Sequence, residues 1–148
     1  DSLVDLVIAS IPKFDSMEFP IEAALNGVPL YGKLDTFNNR TKQGFKEYKT
    51  GRTPWTQKMV DESDQITFYC TLIYAKYGFR PESLDIEMVY IPTDYNVHGQ
   101  IEPKGNVVRF RTKRTFIDLM KMSARQRKAW REIQQMCMEY ASDIPTLK

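Results

Sequence analysis

The chain has 148 residues, of which 42% are hydrophobic and 27% are charged. This length suits one compact domain, and the composition supplies enough apolar side chains to form a core. A formal net charge of +2 is too small to indicate a nucleic-acid partner by itself. We expect a single domain over residues 1–148, in a chain that starts without Met and therefore fits a fragment lacking an N-terminal segment.

The residue counts exclude several kinds of site and location. Cys70 and Cys137 are the only cysteines, which excludes a disulfide scaffold, a four-cysteine zinc site and an iron–sulfur cluster within this chain. We expect both cysteines to be buried and the single histidine, His98, to lie at the surface. The sequence has neither a membrane-spanning apolar run nor a basic region before its first apolar stretch. It therefore predicts an intracellular protein, cytoplasmic or nucleoid-associated, without a membrane partner, and leaves a phage or viral origin open.

The first third of the chain predicts a helix followed by a β-hairpin. Residues 1–11 have apolar side chains at helical spacing. Residues 18–25 and 28–35 predict two strands, because the intervening Asn26-Gly27 pair tolerates the positive φ angles of a two-residue hairpin turn. A polar loop over 36–44 should follow.

The middle of the chain predicts a third strand at 45–49 and then a long helix over 57–77. The apolar residues of this helix form one broad face, and Gly78 is a favourable terminator because it tolerates a left-handed conformation. Alternating apolar and polar residues at 84–91 predict a half-buried strand.

The last third predicts a loop at 92–105, a strand at 106–112 and a helix from about 115 to 141. Thr115 and Asp118 have the spacing of a capping box, and a second such pattern at Ser123 and Gln126 suggests that this helix restarts there. The order of elements predicts an α/β (α+β) fold in which a mixed central β-sheet is flanked by helices.

Charged residues on the second and third strands suggest a metal site. Asp35 ends the second strand, while Glu47 and Lys49 are two residues apart on the third and so point to one face. Two neighbouring carboxylates repel each other unless a positive charge lies between them, and Mg²⁺ prefers such oxygen ligands. A lysine beside that ion can act on a water or stabilise charge on a phosphate. On the following helix, Gln65 and Tyr69 are four residues apart and share one face.

Three motifs in this region resemble the RecB-like branch of the PD-(D/E)XK nuclease superfamily. They are Gly32-Lys33-Leu34-Asp35, Glu47-Tyr48-Lys49-Thr50-Gly51, and Gln65 with Tyr69, in the family's order and on the expected elements. The resemblance covers roughly residues 18–91. It implies a restriction-endonuclease-like core and a metal-dependent nuclease.

The resemblance also implies a role for each motif residue. Asp35, Glu47 and the backbone carbonyl of Tyr48 would bind Mg²⁺ or Mn²⁺. Lys49 would act on the attacking water or the scissile phosphate, and Gln65 and Tyr69 would support the site and contact DNA. The expected function is hydrolysis of DNA, as an exonuclease in recombination, repair or replication, acting on a single- or double-stranded end with a helicase or recombination partner.

One family feature is missing from the sequence pattern. The family usually has an earlier Glu or His on an N-terminal helix that contributes to the metal site, and no His precedes position 98. The early acidic residues are Asp1, Asp5, Asp15, Glu18 and Glu22. We expect Glu18 and Glu22 to be exposed or in strand pairing, so the sequence assigns none of the five to the site.

Several residues near the motifs are candidate DNA contacts. Lys33, Arg52 and Trp55 are the predicted nucleic-acid-binding residues, although Trp55 fits a lid over the core equally well. A basic C-terminal region fits either a phosphate track or an ordinary solvated helix surface. It comprises Lys113, Arg114, Lys121, Arg125, Arg127, Lys128 and Arg131.

Two other interpretations of the motif residues remain open. In the first, the fold is kept as a non-catalytic DNA-binding or scaffolding module, because the upstream ligand is uncertain. In the second, Asp35 is a turn residue, Glu47 and Lys49 form a solvated edge-strand ion pair, and Tyr69 is a core tyrosine. The second interpretation predicts that these side chains do not converge.

Overall fold

The computed structural model describes residues 15–143, which form a mixed β-sheet flanked by helices, as predicted. The strands are β1 (Asp15–Leu25), β2 (Val28–Asn38), β3 (Gly44–Gly51), β4 (Asp85–Tyr95), β5 (Ile101–Pro103) and β6 (Val108–Thr112). The helices are α1 (Gln57–Asp61), α2 (Asp64–Tyr77) and α3 (Phe116–Asp143), with a single 3-10 turn at Pro81–Ser83. The predicted helix over 1–11 lies outside the described residues.

The hairpin of β1 and β2 forms as the Asn26-Gly27 pair predicts. Asn26 and Gly27 have φ angles of 52° and 79°, and Leu25 pairs with Val28 across the turn. The β2 strand continues to Asn38, so the predicted start of the loop at 36 is wrong. The added residues pair with β1 and β3, and this pairing outweighs their polar, loop-like composition.

The centre of the sheet is β4, which lies between β3 on one side and β6 and β5 on the other. The β3–β4 pair is parallel, and the other pairs are antiparallel. Residues Ile86 to Ile91 of β4 are all buried, so the prediction of a half-buried strand was wrong. The predicted loop at 92–105 was also wrong in part, since it contains β5, which pairs with the end of β4.

The predicted helix over 57–77 is two helices. Thr56 caps α1 and Ser63 caps α2, each accepting a hydrogen bond from a backbone N–H in the first turn. Gly78 ends α2 in the left-handed conformation, with a φ of 80°, as predicted. Proline and glycine, the residues that usually interrupt a helix, are both absent from the break at Ser63.

Arg114 holds this break between the helices in place. Its guanidinium is buried and donates to the carbonyls of Val60 and Ser63 and to the hydroxyls of Thr67 and Thr112. A buried cation requires such partners, so removing the guanidinium would leave several carbonyls without donors. Arg114 therefore does not belong to a phosphate track.

Helix α3 is continuous from Phe116 to Asp143, so the restart predicted near Ser123 does not occur. Its start is fixed by reciprocal hydrogen bonds between Thr115 and Asp118, a capping arrangement that the sequence predicts. Ser123 is buried and accepts a hydrogen bond from Asn26 of the hairpin turn, which explains its place inside the helix. No helix within residues 15–143 is long and apolar enough to cross a membrane.

Cysteines and histidine divide between interior and surface. Cys70 is buried, as expected, and His98 is exposed. The expectation for Cys137 was wrong, because every residue from 131 to 143 of α3 is exposed.

The close approach of α2 to β2 depends on Gly32. A Cβ atom added at this position would lie 2.5 Å from Cδ1 of Leu72 and 3.1 Å from Cε2 of Phe68. The glycine of the Gly32-Lys33-Leu34-Asp35 motif therefore has a packing role: it lets α2 lie against the strand that carries Asp35.

We expect Gly32→Ala to lower the free energy of unfolding by about 1–3 kcal/mol, because the added methyl overpacks the α2–β2 contact. Shortening the opposing side chain with Leu72→Val should partly relieve that clash. Urea unfolding of the two single variants and the double variant gives the three changes in the free energy of unfolding. The change in the double variant should be smaller than the sum of the changes in the two single variants. Strict additivity of the two substitutions would contradict the assigned contact.

Candidate active site

The candidate site lies where strands β2 and β3 separate. Their backbone pairing stops at Thr36 and Lys46. Beyond that pair, the side chain of Asp35 replaces a backbone partner, and its Oδ2 accepts a hydrogen bond of 2.8 Å from the N–H of Tyr48. The separation of the strands thus makes room for a carboxylate between them.

Glu47 lies beside Asp35 and is 3% exposed. Its Oε2 is buried and has no hydrogen-bond partner within the described residues. Two ionised carboxylates can only accept hydrogen bonds, so neither satisfies the other unless one carries a proton. Burial, and then the hydrogen bond to Asp35 and its charge, raise the pKa of Glu47 to about 8, which the nearby Lys49 opposes only in part.

Lys49 connects this carboxylate pair to helix α2. Its Nζ lies 3.7 Å from Oε1 of Glu47 and donates a hydrogen bond of 2.6 Å to Oε1 of Gln65. The amide nitrogen of Gln65 in turn donates to the hydroxyl of Tyr69 at 3.0 Å. Four predicted site residues therefore form one continuous chain of contacts from β3 to α2.

The far end of β3 is also fixed next to the site. The Tyr90 hydroxyl on β4 donates a hydrogen bond of 2.6 Å to the carbonyl of Gly51. Trp55 follows, packs against the core and places its ring centre 5.9 Å from Nζ of Lys49. Trp55 therefore packs on the core and also lies next to Lys49, and its contact with nucleic acid stays a prediction.

The carboxylate pair fits a divalent cation. Asp35 and Glu47 present oxygen ligands at one place, and the orphaned Oε2 of Glu47 lacks any protein donor among the described residues. The carbonyl of Tyr48 points to the same strand edge as its N–H, which faces Asp35. These oxygen donors are the type that Mg²⁺ and Mn²⁺ prefer.

A third ionisable ligand is not found in the described part of the chain. Within residues 15–143, no three Asp, Glu, His or Cys side chains are placed to hold a metal ion together. Glu18 and Glu22 are exposed, although Glu18 lies opposite Asp35 in the β1–β2 register, between the pairs of Met17 and Phe19. Asp1 and Asp5 lie outside the described residues.

The remaining predicted DNA contacts lie at the surface. Lys33 is exposed on β2, two residues before Asp35. Arg52 is 70% exposed and forms an ion pair of 3.1 Å with Asp94. Their contact with nucleic acid stays a prediction.

The geometry corrects the edge-strand interpretation of Glu47 and Lys49. Strand β3 lies inside the sheet between β2 and β4, and Glu47 is buried rather than solvated. Tyr69 is a core tyrosine, 7% exposed, whose hydroxyl nevertheless reaches Gln65. The core placement of Tyr69 is therefore confirmed, and its contact with DNA stays a prediction.

Comparison with protein-family models matches residues 7–146 to the PD-(D/E)XK nuclease superfamily. The chain belongs to this superfamily. Its members are nucleases that generally use divalent metal ions. A search of curated proteins finds no match to this PD-(D/E)XK domain.

A solved structure shares the fold of this PD-(D/E)XK domain. It is a crystal structure of a protein from Eubacterium rectale named "Putative exonuclease", which superposes with a TM-score of 0.51 at 14% sequence identity. The match covers 88% of this chain and 51% of the other, so the domain spans about half the length of that protein.

The sequence motifs did not reveal two features that support the site. Arg114 orients the start of α2, which carries Gln65, but its sequence context is that of an ordinary basic residue. The separation of β2 from β3 also has no local signal. Only the packing role of Gly32 could have been predicted from the sequence, because Gly32 belongs to a motif and a predicted helix follows its strand.

The raised pKa of Glu47 predicts that stability falls as pH rises. Between its ordinary value of 4.5 and about 8, the folded protein holds the Glu47 proton while the unfolded chain releases it. The free energy of unfolding therefore decreases across this range and levels off above it. Glu47→Gln should remove this decrease.

Urea unfolding in chelator at pH 5 and pH 8.5 measures the effect, with Glu22→Gln as the exposed control. Relative to the wild type, the free energy of unfolding of Glu47→Gln should be higher at pH 8.5 than at pH 5. The control should show the same pH dependence as the wild type. Parallel pH profiles for wild type and Glu47→Gln would show that the carboxylate is not desolvated as described.

Proposed function

We propose that this domain is a Mg²⁺- or Mn²⁺-dependent deoxyribonuclease of the RecB-like branch. The observation that carries the proposal is the meeting of two carboxylates and one ammonium, Asp35, Glu47 and Lys49, at the separation of β2 and β3. The order of the three motifs along the chain supports the RecB-like assignment.

Each side chain of the site has a part in phosphodiester hydrolysis. Asp35 and Glu47 would hold the cation with the Tyr48 carbonyl, and the cation supplies Lewis-acid stabilisation of the phosphate and a more acidic water. The Lys49 ammonium would bind the attacking water or the phosphate oxygen on which charge develops. Gln65 accepts from Lys49 and so fixes where its remaining N–H groups point.

The burial of Glu47 gives this arrangement its affinity for a cation. Burial, and then the contact with Asp35, make the ionised form of Glu47 unfavourable without a cation, which its raised pKa reflects. A divalent ion would replace the proton that Glu47 holds below a pH of about 8, so its binding should strengthen as the pH rises.

For the substrate, we propose DNA, with exonuclease action at a single- or double-stranded end. The neighbouring cations Lys33 and Arg52 and the ring of Trp55 are proposed contacts to the strand. A place in DNA recombination, repair or replication, together with a helicase or recombination partner, extends the proposal to the cellular role.

Asp35→Ala and Lys49→Ala should each abolish Mn²⁺-dependent cleavage, by about a hundredfold or more, because each removes a charge that acts on the reacting phosphate. Far-UV circular dichroism should show an intact fold. Lys76→Ala, which removes an exposed lysine from the other end of α2, is the matched control and should stay active.

The assay compares linear single-stranded, linear duplex and circular DNA, with Mn²⁺ and with chelator. An exonuclease should degrade the linear forms and spare the circular ones. Full Mn²⁺-dependent activity of Lys49→Ala would refute the role of the lysine, and cleavage in chelator would refute the role of the metal.

A non-catalytic DNA-binding or scaffolding module is the second candidate. The absence of a third ionisable ligand within residues 15–143 favours it. Calorimetric titration with Mn²⁺ separates the two candidates. The nuclease proposal expects binding by the wild type that Glu47→Ala removes and the exposed control Glu22→Ala keeps, whereas a scaffold expects no Glu47-dependent heat.

A further inference from the structure

A shallow groove of about 460 Å³ lies between helices α2 and α3 and opens beside Gln65. We call it the α2–α3 groove. Its lining includes the ring of Phe68 from α2 and the apolar side chains of Met122 and Ala129 from α3. One edge of the Phe68 ring packs against Gly32, and the ring is otherwise partly exposed. The groove therefore offers an aromatic surface that no described residue covers completely.

The groove also contains an amide that is free to bind a ligand. Gln126 lines it and is partly buried, yet its side chain makes no hydrogen bond within the described residues. An amide offers both donors and an acceptor, which suits the edge of a nucleobase. An apolar floor edged by amides is a combination that a planar heterocycle fits. The polar residues that line the groove are Asp64, Gln65, Arg125 and Gln126.

Three basic side chains follow the groove along α3, and one of them, Arg125, is paired with the Asp64 carboxylate. Lys121, Arg125 and Lys128 are spaced four and three residues apart, so they lie on one narrow side of the helix next to the groove residues. Two hydrogen bonds, of 3.0 and 3.3 Å, from Arg125 to Asp64 fix the guanidinium at the rim. Charge beside an aromatic groove is the arrangement used to bind single strands.

Gln65 makes the groove continuous with the carboxylate pair. Its side chain lines the groove, and its Oε1 accepts the hydrogen bond of 2.6 Å from Lys49. A nucleotide whose phosphate lies at Lys49 can therefore place an adjoining base in the groove, on the far side of Gln65.

We infer that the α2–α3 groove binds one unpaired base of the DNA strand that is being cut, with Phe68 under the base and Gln126 at its edge. This inference rests on the proposed nuclease function and narrows its substrate class. A paired and stacked base cannot enter, so the substrate is single-stranded DNA or a frayed end. The row of Lys121, Arg125 and Lys128 follows the phosphates.

Binding to an intact oligonucleotide and to one carrying abasic residues tests this inference directly. The protein carries Glu47→Gln, which removes a proposed metal ligand and so blocks cleavage, and affinity is read by fluorescence anisotropy with Mn²⁺ present. Gln126→Ala and Phe68→Leu should each weaken binding of the intact strand, by about tenfold for Phe68→Leu. Both should leave binding of the abasic strand unchanged.

Two control variants show whether the effect is specific to bases. Gln134→Ala, in the exposed second half of α3, should bind both strands as the parent does. Lys121→Ala should weaken both strands equally and with a salt dependence, because it contacts phosphate. Thermal unfolding checks that Phe68→Leu remains folded. If Phe68→Leu is unfolded, the affinities of Gln126→Ala alone test the inference.

Cleavage by the otherwise wild-type protein separates this inference from the function on which it rests. Gln126→Ala should raise KM for single-stranded DNA and leave kcat nearly unchanged, because the base contact is distant from the reacting atoms. Equal affinity for intact and abasic strands, with an unaltered KM in Gln126→Ala, would overturn the groove and leave the nuclease in place. Absence of all Mn²⁺-dependent cleavage would overturn the nuclease, while the binding measurements still decide the groove.

Discussion

The burial of one carboxylate beside another governs this site. Glu47 is buried beside Asp35, and its Oε2 has no donor within the described residues. Such a pair is unfavourable in a protein unless a positive charge compensates it. The ammonium of Lys49, 3.7 Å from Glu47, compensates only in part, so the pKa of Glu47 stays raised. Below a pH of about 8 a proton on Glu47 satisfies the pair, and a divalent cation can take the place of that proton, which is the physical argument for a metal site.

The rest of the fold follows from the need to hold this pair in one place. Strands β2 and β3 pair at one end and separate at the other, where Asp35 bonds to the Tyr48 N–H. Gly32 lets α2 approach β2, and Arg114 fixes the break before α2. Through these contacts, Gln65 reaches Lys49, so packing far from the carboxylates sets the direction of the ammonium.

Local chemistry made part of this predictable from the sequence. The Asn26-Gly27 turn, the Gly78 terminator and the Thr115 cap each depend on a few adjacent residues, and all three form as expected. The motif residues could be assigned to neighbouring elements because strand and helix periodicity fixes which side chains share a face. That the motif residues meet at one site was predicted from the family resemblance.

Tertiary contacts decided the features that were missed. The break at Ser63 is stabilised by Arg114, which is distant in sequence, and a capping serine alone does not show that a helix is interrupted there. The β5 strand exists because β4 extends far enough to pair with it, and β4 is buried from Ile86 to Ile91 because it lies at the centre of the packed sheet. Cys137 is exposed because α3 continues beyond the part that packs against α2.

An anomalous difference map from crystals grown with Mn²⁺ tests the central claim most directly. The account predicts an ion bound by carboxylate oxygens of both Asp35 and Glu47, at about 2.0–2.2 Å, with Lys49 close by but not coordinated. A map in which Mn²⁺ binds elsewhere, or in which the Glu47 carboxylate turns away from Asp35, would contradict it.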